Sequence, residues 1–179
     1  MKVLSIVPHN GIGLLRIGMR PEQISESIKQ MHKEGILPGD FQIQMSKDLE
    51  IVKDVVILRY LNPCFFFMVQ YQNGYAAEIS VDRHLRECNR KIMLYDIDIF
   101  RTPAEQLVTR LKDFSVCSYD TDDEQLSYTY EFNDIGIRLW REDVFHPKLL
   151  LDAAYMKMMK LVIDDMVQYQ YFDMITVKM

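Results

Sequence analysis

The chain has 179 residues, of which 49% are hydrophobic, and a formal net charge of −5. This composition can supply a core and argues against disorder, and the lack of a run of about eighteen apolar residues predicts no membrane-spanning helix. The three cysteines lack the tight spacing of a disulfide framework or a zinc site, which favours a reducing, cytoplasmic setting.

The charge is divided unequally along the chain. Residues 1–90 carry eleven basic and ten acidic side chains, a net of +1, whereas residues 91–179 carry ten and sixteen, a net of −6. Direct nucleic-acid binding is disfavoured, because it needs a concentration of positive charge. An acidic half suits a basic protein partner, although mild acidity also serves solubility alone.

The chain opens with short extended segments and a helix. Alternating apolar residues predict a strand at 3–7 and either a second short strand or an extended lead-in at 12–17. A helix is expected over 21–34, because Pro21 suits a first helical position and Gly35 suits a C-terminal cap.

Strand signals dominate the rest of the first half. Alternation predicts a strand at 41–45, and β-branched residues predict another in the second half of 51–61. The strongest signal is a hairpin of residues 65–72 and 75–81. Its turn is Asn73-Gly74, which supplies the positive φ values of a type I′ turn.

The second half begins with less distinct patterns. Residues 82–92 are charged and indicate a loop or a short helix, and 91–100 indicate a strand. A helix is expected to start at Thr102, which forms a capping-box pattern with Glu105, with Pro103 at the first helical position.

The remaining residues predict a second hairpin, a long helix and a last strand. The hairpin consists of residues 126–132 and 135–140 and turns at Asn133-Asp134. A helix over 148–169 is expected from an apolar stripe at helical spacing, and alternation predicts a strand at 171–178.

The two helix openings at 20–24 and 102–107 resemble each other, and each is followed by a hairpin signal. We therefore expect a single domain over 1–179 built of two helix-plus-hairpin units, 1–90 and 91–179. Because hairpins dominate and no βαβ rhythm is present, the expected fold class is α+β, with antiparallel sheet covered on one face by helices.

Three patterns that resemble ligand sites are incomplete. The spacing of Gly11, Gly13 and Gly18 does not match that of a dinucleotide-binding loop, and Met19 stands where a phosphate-binding loop needs lysine. These glycines are instead expected to shape turns and to let the backbone approach the first helix. His84 and Cys88 lack the further ligands that zinc requires. Asp96 and Asp98 have no accompanying histidine. No cofactor, metal or catalytic activity is predicted.

The acidic stretch 120–124 resembles a calcium loop, but Gln125 replaces the required glycine. We interpret it as a solvated turn that recognises a lysine- or arginine-rich surface, helped by aromatic residues nearby. The candidate partner-binding residues are Asp120, Asp122, Asp123, Glu124, Tyr128, Tyr130 and Trp140.

The Gly18-Met19 step before a helix that opens with Pro21-Glu22 resembles the repeat of the β-lactamase-inhibitor-like fold. The second opening, at 100–103, lacks the Gly-Met step, and Arg20 stands where the family usually has serine or threonine. The resemblance implies a helix-plus-antiparallel-sheet unit that binds proteins.

Size, acidity and the absence of a catalytic motif are also similar to the profile of bacterial immunity proteins of contact-dependent toxin systems. That resemblance implies a cytoplasmic protein that binds and neutralises a cognate toxin, in many cases a basic nuclease, without touching nucleic acid or membrane itself. The alternative is a small-ligand-binding protein or enzyme with a pocket between sheet and helices.

Overall fold

The computed structural model describes residues 2–38, 44–48, 55–62, 65–83 and 89–179. Parts of the predicted strands at 41–45 and 51–61, and the His84 and Cys88 pair, lie outside these residues. In the first half the strands are β1 Val3–Val7, β2 Gly11–Ile12, β3 Leu15–Arg16, β4 Gln44–Asp48, β5 Val55–Asn62, β6 Phe65–Gln72 and β7 Tyr75–Asp82, and the helix is α1 Pro21–Lys33.

The second half contributes six more strands and three short α-helices. The strands are β8 Lys91–Leu94, β9 Ile97–Asp98, β10 Cys117–Tyr119, β11 Thr129–Phe132, β12 Ile137–Trp140 and β13 Met174–Lys178. The helices are α2 Ala104–Leu111, α3 Ala153–Met159 and α4 Ile163–Met166. The α+β class is as the sequence predicts.

An eight-stranded sheet in the order β10-β11-β12-β13-β7-β6-β5-β4 forms the body of the molecule. Every neighbouring pair in it is antiparallel. Strand β13 lies between β12 and β7, so strands from both halves of the chain form one continuous sheet. The hairpin of β6 and β7 is confirmed, with φ of 52° at Asn73 and 81° at Gly74.

One face of this sheet is the core. A row of residues in register crosses six strands and is buried throughout: Tyr60, Phe67, Val81, Ile175, Leu139 and Tyr130. Such a row results from the two-residue period of a strand, which sends alternate side chains to one face.

A smaller sheet, ordered β3-β2-β1-β8-β9, belongs to the same core. Strand β1 pairs with β8 in parallel, and the other neighbours are antiparallel. Two single-strand predictions differ from this arrangement. Residues 12–17 take part in the β2–β3 hairpin, and 91–100 contain the β8–β9 hairpin, whose turn includes Tyr95 at φ 55°.

Helix α1 packs its apolar face into the core through Ile24, Ile28 and Met31, as its periodicity predicts. The Gln23 side chain accepts a hydrogen bond of 2.9 Å from the backbone N–H of Arg20 at the start of the helix. Helix α2 starts at Ala104, and the capping box predicted at Thr102 is wrong. The Thr102 hydroxyl instead donates to the carbonyl of Asp98 over 2.7 Å.

The long helix predicted over 148–169 is also wrong. The chain forms a 3-10 helix at Pro147–Leu151, then α3, α4 and a second 3-10 helix at Val167–Gln170. Asp152 explains one of the breaks. Its backbone is extended, and its side chain accepts hydrogen bonds from the N–H groups of Ala154 and Tyr155, so it caps a new helix where the pattern predicted continuation.

Among the described residues, no helix combines the length and apolar character that crossing a membrane requires.

Candidate functional site

The acidic turn, residues 120–124, is organised by Asp120. Its two carboxylate oxygens accept hydrogen bonds from the backbone N–H groups of Tyr128 (3.0 Å) and Thr129 (3.1 Å). Partial burial raises the pKa of Asp120, but these N–H groups outweigh that effect and leave the pKa below its usual value. Asp120 therefore has a structural role in closing the turn onto β11.

Two of the other acidic residues form ion pairs within the chain. Asp123 lies 2.6 Å from the ammonium of Lys148, and this hydrogen bond lowers the pKa of the carboxyl. Glu124 pairs with Lys112. Asp122 is exposed and forms no ion pair with any residue that the structure describes.

The three predicted aromatic contacts differ in accessibility. Tyr128 is 42% exposed and Trp140 is 38% exposed, whereas Tyr130 is 2% exposed. In the β11–β12 register Trp140 is opposite Thr129, and Tyr130 is opposite Leu139 on the core face. Trp140 and Tyr130 therefore lie on opposite faces of the sheet and cannot belong to one flat patch.

A surface that the sequence did not identify lies beside the acidic turn. The apolar segment, defined here as residues 147–167, exposes much of the apolar stripe from which a long helix was predicted. Leu161 is 95% exposed, Leu151 88% and Met158 72%. Helix α3 has no buried residue, and α4 buries only Met166. Several large apolar side chains exposed within one segment are typical of an interaction site.

The ion pair between Lys148 and Asp123 joins this apolar segment to the acidic turn. Together the two segments contain seven acidic and three basic side chains, a formal charge of −4. The combined surface is therefore apolar and negative.

A cleft of about 270 Å³ opens between helix α2, the end of the acidic turn with the residues that follow it, and the segment 145–147. Ala104, Val108, Phe145 and Pro147 contribute apolar wall. The polar part of the wall includes Gln125 and the buried side chains of Tyr130 and Arg141.

Arg141 is 2% exposed. Its Nε donates to the carbonyl of Ser127 (2.8 Å), and its Nη2 donates to the carbonyl of Gln125 (3.0 Å) and the hydroxyl of Tyr130 (3.1 Å). Burial lowers the pKa of this guanidinium below its usual value, but not enough to neutralise an arginine.

The guanidinium carbon of Arg141 also lies 5.7 Å from the ring centroids of both Tyr130 and Phe172, close enough for a cation–π contact. All these partners are neutral. Within the described part of the chain Arg141 forms no ion pair, although a buried charge without one costs several kcal/mol.

Other polar groups of the cleft wall also have partners within it. Lys112 pairs with Glu124, and Nε2 of His146 lies 3.1 Å from Glu105. Nδ1 of His146 accepts a hydrogen bond from the backbone N–H of Lys148, so the neutral ring carries its proton on Nε2 and donates it to Glu105.

The remaining sequence patterns have structural roles. A Cβ on Gly13 would lie 2.7 Å from the sulfur of Met31, so this glycine lets the backbone approach α1, as expected. Asp96 and Asp98 pair separately with Arg110 and Arg101. Among the residues described, no cluster of three metal-binding side chains is present.

Comparison with known proteins found no matching family, no matching curated protein and no matching solved structure. No local pattern in the sequence indicates the cleft, because residues 104–109, 124–130 and 141–147 meet only in the folded chain.

Proposed function

We propose that this chain is a protein-binding module, and more specifically a cytoplasmic immunity protein that neutralises the basic toxin domain of a bacterial competitor. The observation that carries the proposal is the apolar segment, whose stripe of large side chains has helical spacing in the sequence yet no core to pack against.

The exposed side chains support a protein contact. Six apolar residues of the segment are at least 42% exposed: Leu150, Leu151, Met158, Leu161, Val162 and Val167. Burial of leucine and methionine side chains by a partner stabilises the complex by about 25 cal/mol for each Å² of apolar surface removed from water. Methionine also adapts to the shape of a partner.

The charge of the surface indicates the chemistry of that partner. With seven acidic and three basic side chains over the acidic turn and the apolar segment, a basic protein would be attracted and an acidic one repelled. A nuclease domain has this character, because its substrate-binding surface is positive.

A genetic experiment tests the biological role. In the native host, deletion of this gene should stop growth whenever a competing toxin is delivered or a neighbouring toxin gene is intact, and loss of that toxin should restore growth. Normal growth of the deletion strain beside intact toxin-producing siblings contradicts the immunity role.

A binding experiment tests the surface. A photoreactive amino acid at position 161 should cross-link a basic protein in host cells, and the same label at exposed Val3 should not. With the purified partner, Leu161→Glu and Asp122→Lys should each weaken the complex about tenfold or more, whereas Val3→Glu and Glu26→Lys should not.

A second copy of this chain is the competing occupant of the apolar segment. Sedimentation equilibrium distinguishes the two. A concentration-dependent dimer that Leu161→Glu dissociates assigns the segment to self-association and overturns the proposal.

A further inference from the structure

The cleft beside helix α2 contains a positive charge that the described chain does not neutralise. Arg141 is almost fully buried, and all three of its hydrogen-bond acceptors are neutral. Its remaining terminal nitrogen, Nη1, donates to none of the described residues, and Arg141 lines the cleft. Buried charges in proteins are paired as a rule, so an anionic ligand would complete this arrangement.

The carboxylates near Arg141 are engaged elsewhere. Glu124 pairs with Lys112, and Glu105 accepts from His146. Asp120 acts on Arg141 at longer range, but both of its oxygens accept from backbone N–H groups that hold the acidic turn. Lys112 and Glu124 cancel each other, whereas Glu105 keeps its charge beside the neutral His146. The Glu105 side chain is 57% exposed, so solvent screens its charge more than that of the almost fully buried Arg141.

The shape of the cleft restricts the ligand to a small organic molecule. Its volume of about 270 Å³ lies just below the range of roughly 300–1,000 Å³ typical of drug-sized ligands. Val108, Phe145 and Pro147 form an apolar wall beside the guanidinium. A ligand with a negative head and an apolar body matches both parts.

We propose that this cleft binds a small organic anion whose carboxylate or phosphate group pairs with Arg141, while its apolar body lies against Phe145 and Val108. Either head group suits Arg141, because Nη1 has two N–H groups to donate and an arginine side chain keeps its positive charge. This cleft adjoins the protein-binding surface proposed above and shares Glu124 and Pro147 with it. The isolated chain is sufficient to show anion binding.

Benzoate, phenyl phosphate and neutral benzamide are suitable probes, since all three carry the same ring. Ligand-observed NMR or calorimetry on the purified chain should show binding of at least one anion, with benzamide about tenfold weaker or more. The tighter of the two anions identifies the head group. If neither anion binds, or if benzamide binds equally well, the proposal is overturned.

Two variants assign the binding to this cleft. Arg141→Met should weaken anion binding about tenfold or more. Gln106→Trp, on the cleft wall, should block binding without touching the buried guanidinium, whereas Gln30→Trp on helix α1 serves as the matched control and should bind normally. If Arg141→Met does not fold, as judged by circular dichroism, the anion affinities of Gln106→Trp and Gln30→Trp test the site instead. Unchanged affinity in Gln106→Trp contradicts the proposal.

Discussion

The hydroxyl groups of Ser80 and Thr176 lie 2.8 Å apart, on strands β7 and β13. Both residues are almost fully buried, at 2% and 4% exposure. This hydrogen bond joins residues 96 positions apart, at the pairing that unites the two halves of the chain in one sheet. Strands from residues 1–90 and from residues 91–179 therefore belong to one sheet.

Removing only one of these two hydroxyl groups should destabilise the fold. Thr176→Val leaves the Ser80 hydroxyl buried without its partner and should lower the free energy of unfolding by about 1–3 kcal/mol. The double variant Ser80→Ala with Thr176→Val should lose less than the sum of the single losses, because it removes both polar groups. Urea unfolding of the four proteins measures the coupling, and strictly additive losses contradict it.

Gly136 should not tolerate alanine. Its φ is 60°, and a Cβ there would collide with the carbonyl oxygen of Lys178 and the ring of His9. Gly18 is the matched control, because its φ is 85° but a Cβ at that position would have no atom within 4 Å. Gly18→Ala should cost roughly 1–2 kcal/mol for the left-handed backbone alone. Gly136→Ala should cost about 1–3 kcal/mol more. If Gly18→Ala and Gly136→Ala lower the melting temperature equally, the predicted steric collision at Gly136 is contradicted.

Asp120 should stabilise the fold in a pH-dependent way, because its pKa in the folded chain lies below the usual value. A depressed carboxyl pKa contributes stability that is complete above about pH 4 and is lost as the pH falls through the folded pKa. Asp120 is exposed, so solvent screens its charge, and Asp120→Asn should cost at most about 1 kcal/mol at pH 7 and progressively less below about pH 4. Urea unfolding at several pH values measures this.

Asp122 provides the control in the same turn. It is exposed and forms no hydrogen bond or ion pair with a described residue, so Asp122→Asn should change the free energy of unfolding at pH 7 by less than about 0.5 kcal/mol. An equal effect at both positions shows that overall charge, and not the geometry of Asp120, determines the acid response.

Cys117 should react slowly with alkylating agents. Partial burial raises the pKa of its thiol to about 11, so little thiolate is present at pH 8. In a Cys64→Ser, Cys88→Ser background, iodoacetamide should modify Cys117 roughly 100-fold more slowly at pH 8 than it modifies the urea-unfolded chain. The rate should rise about tenfold for each pH unit up to about pH 11. Mass spectrometry follows the reaction, and equal folded and unfolded rates contradict the prediction.

The exposed leucines should contribute little to stability. Leu161→Glu should change the free energy of unfolding by less than about 0.5 kcal/mol, because the side chain is 95% exposed. Leu107→Glu, at 0% exposure, should prevent folding. A large loss of stability in Leu161→Glu means that the apolar segment packs within the chain.

Local signals predicted the elements whose causes are local. The Asn73-Gly74 pair determines its own turn, and the apolar spacing of Ile24, Ile28 and Met31 predicts the buried face of α1. The apolar stripe over 148–169 led to a wrong helix prediction. Periodicity indicates which residues would share a helix face, but it does not indicate whether a core is present for that face to pack against. Within that range the side chain of Asp152 caps the start of α3 and so interrupts the predicted helix.

Long-range pairing accounts for what the sequence could not predict. Nothing near residue 174 indicates that β13 pairs with β7, and nothing near Arg141 indicates that its acceptors are the carbonyls of Ser127 and Gln125. The acidic turn was identified correctly as a turn. Its internal ion pairs with Lys112 and Lys148 depend on distant segments and could not be inferred from composition.

The central position of β13 has a consequence for synthesis. As the polypeptide leaves the ribosome, residues 55–82 emerge long before residues 174–178. The edge of β7 that pairs with β13 therefore stays unpaired while about ninety more residues are added. An unpaired edge of this kind is a template for aggregation. In living cells the yield of this protein should accordingly depend on chaperones that shield nascent strands.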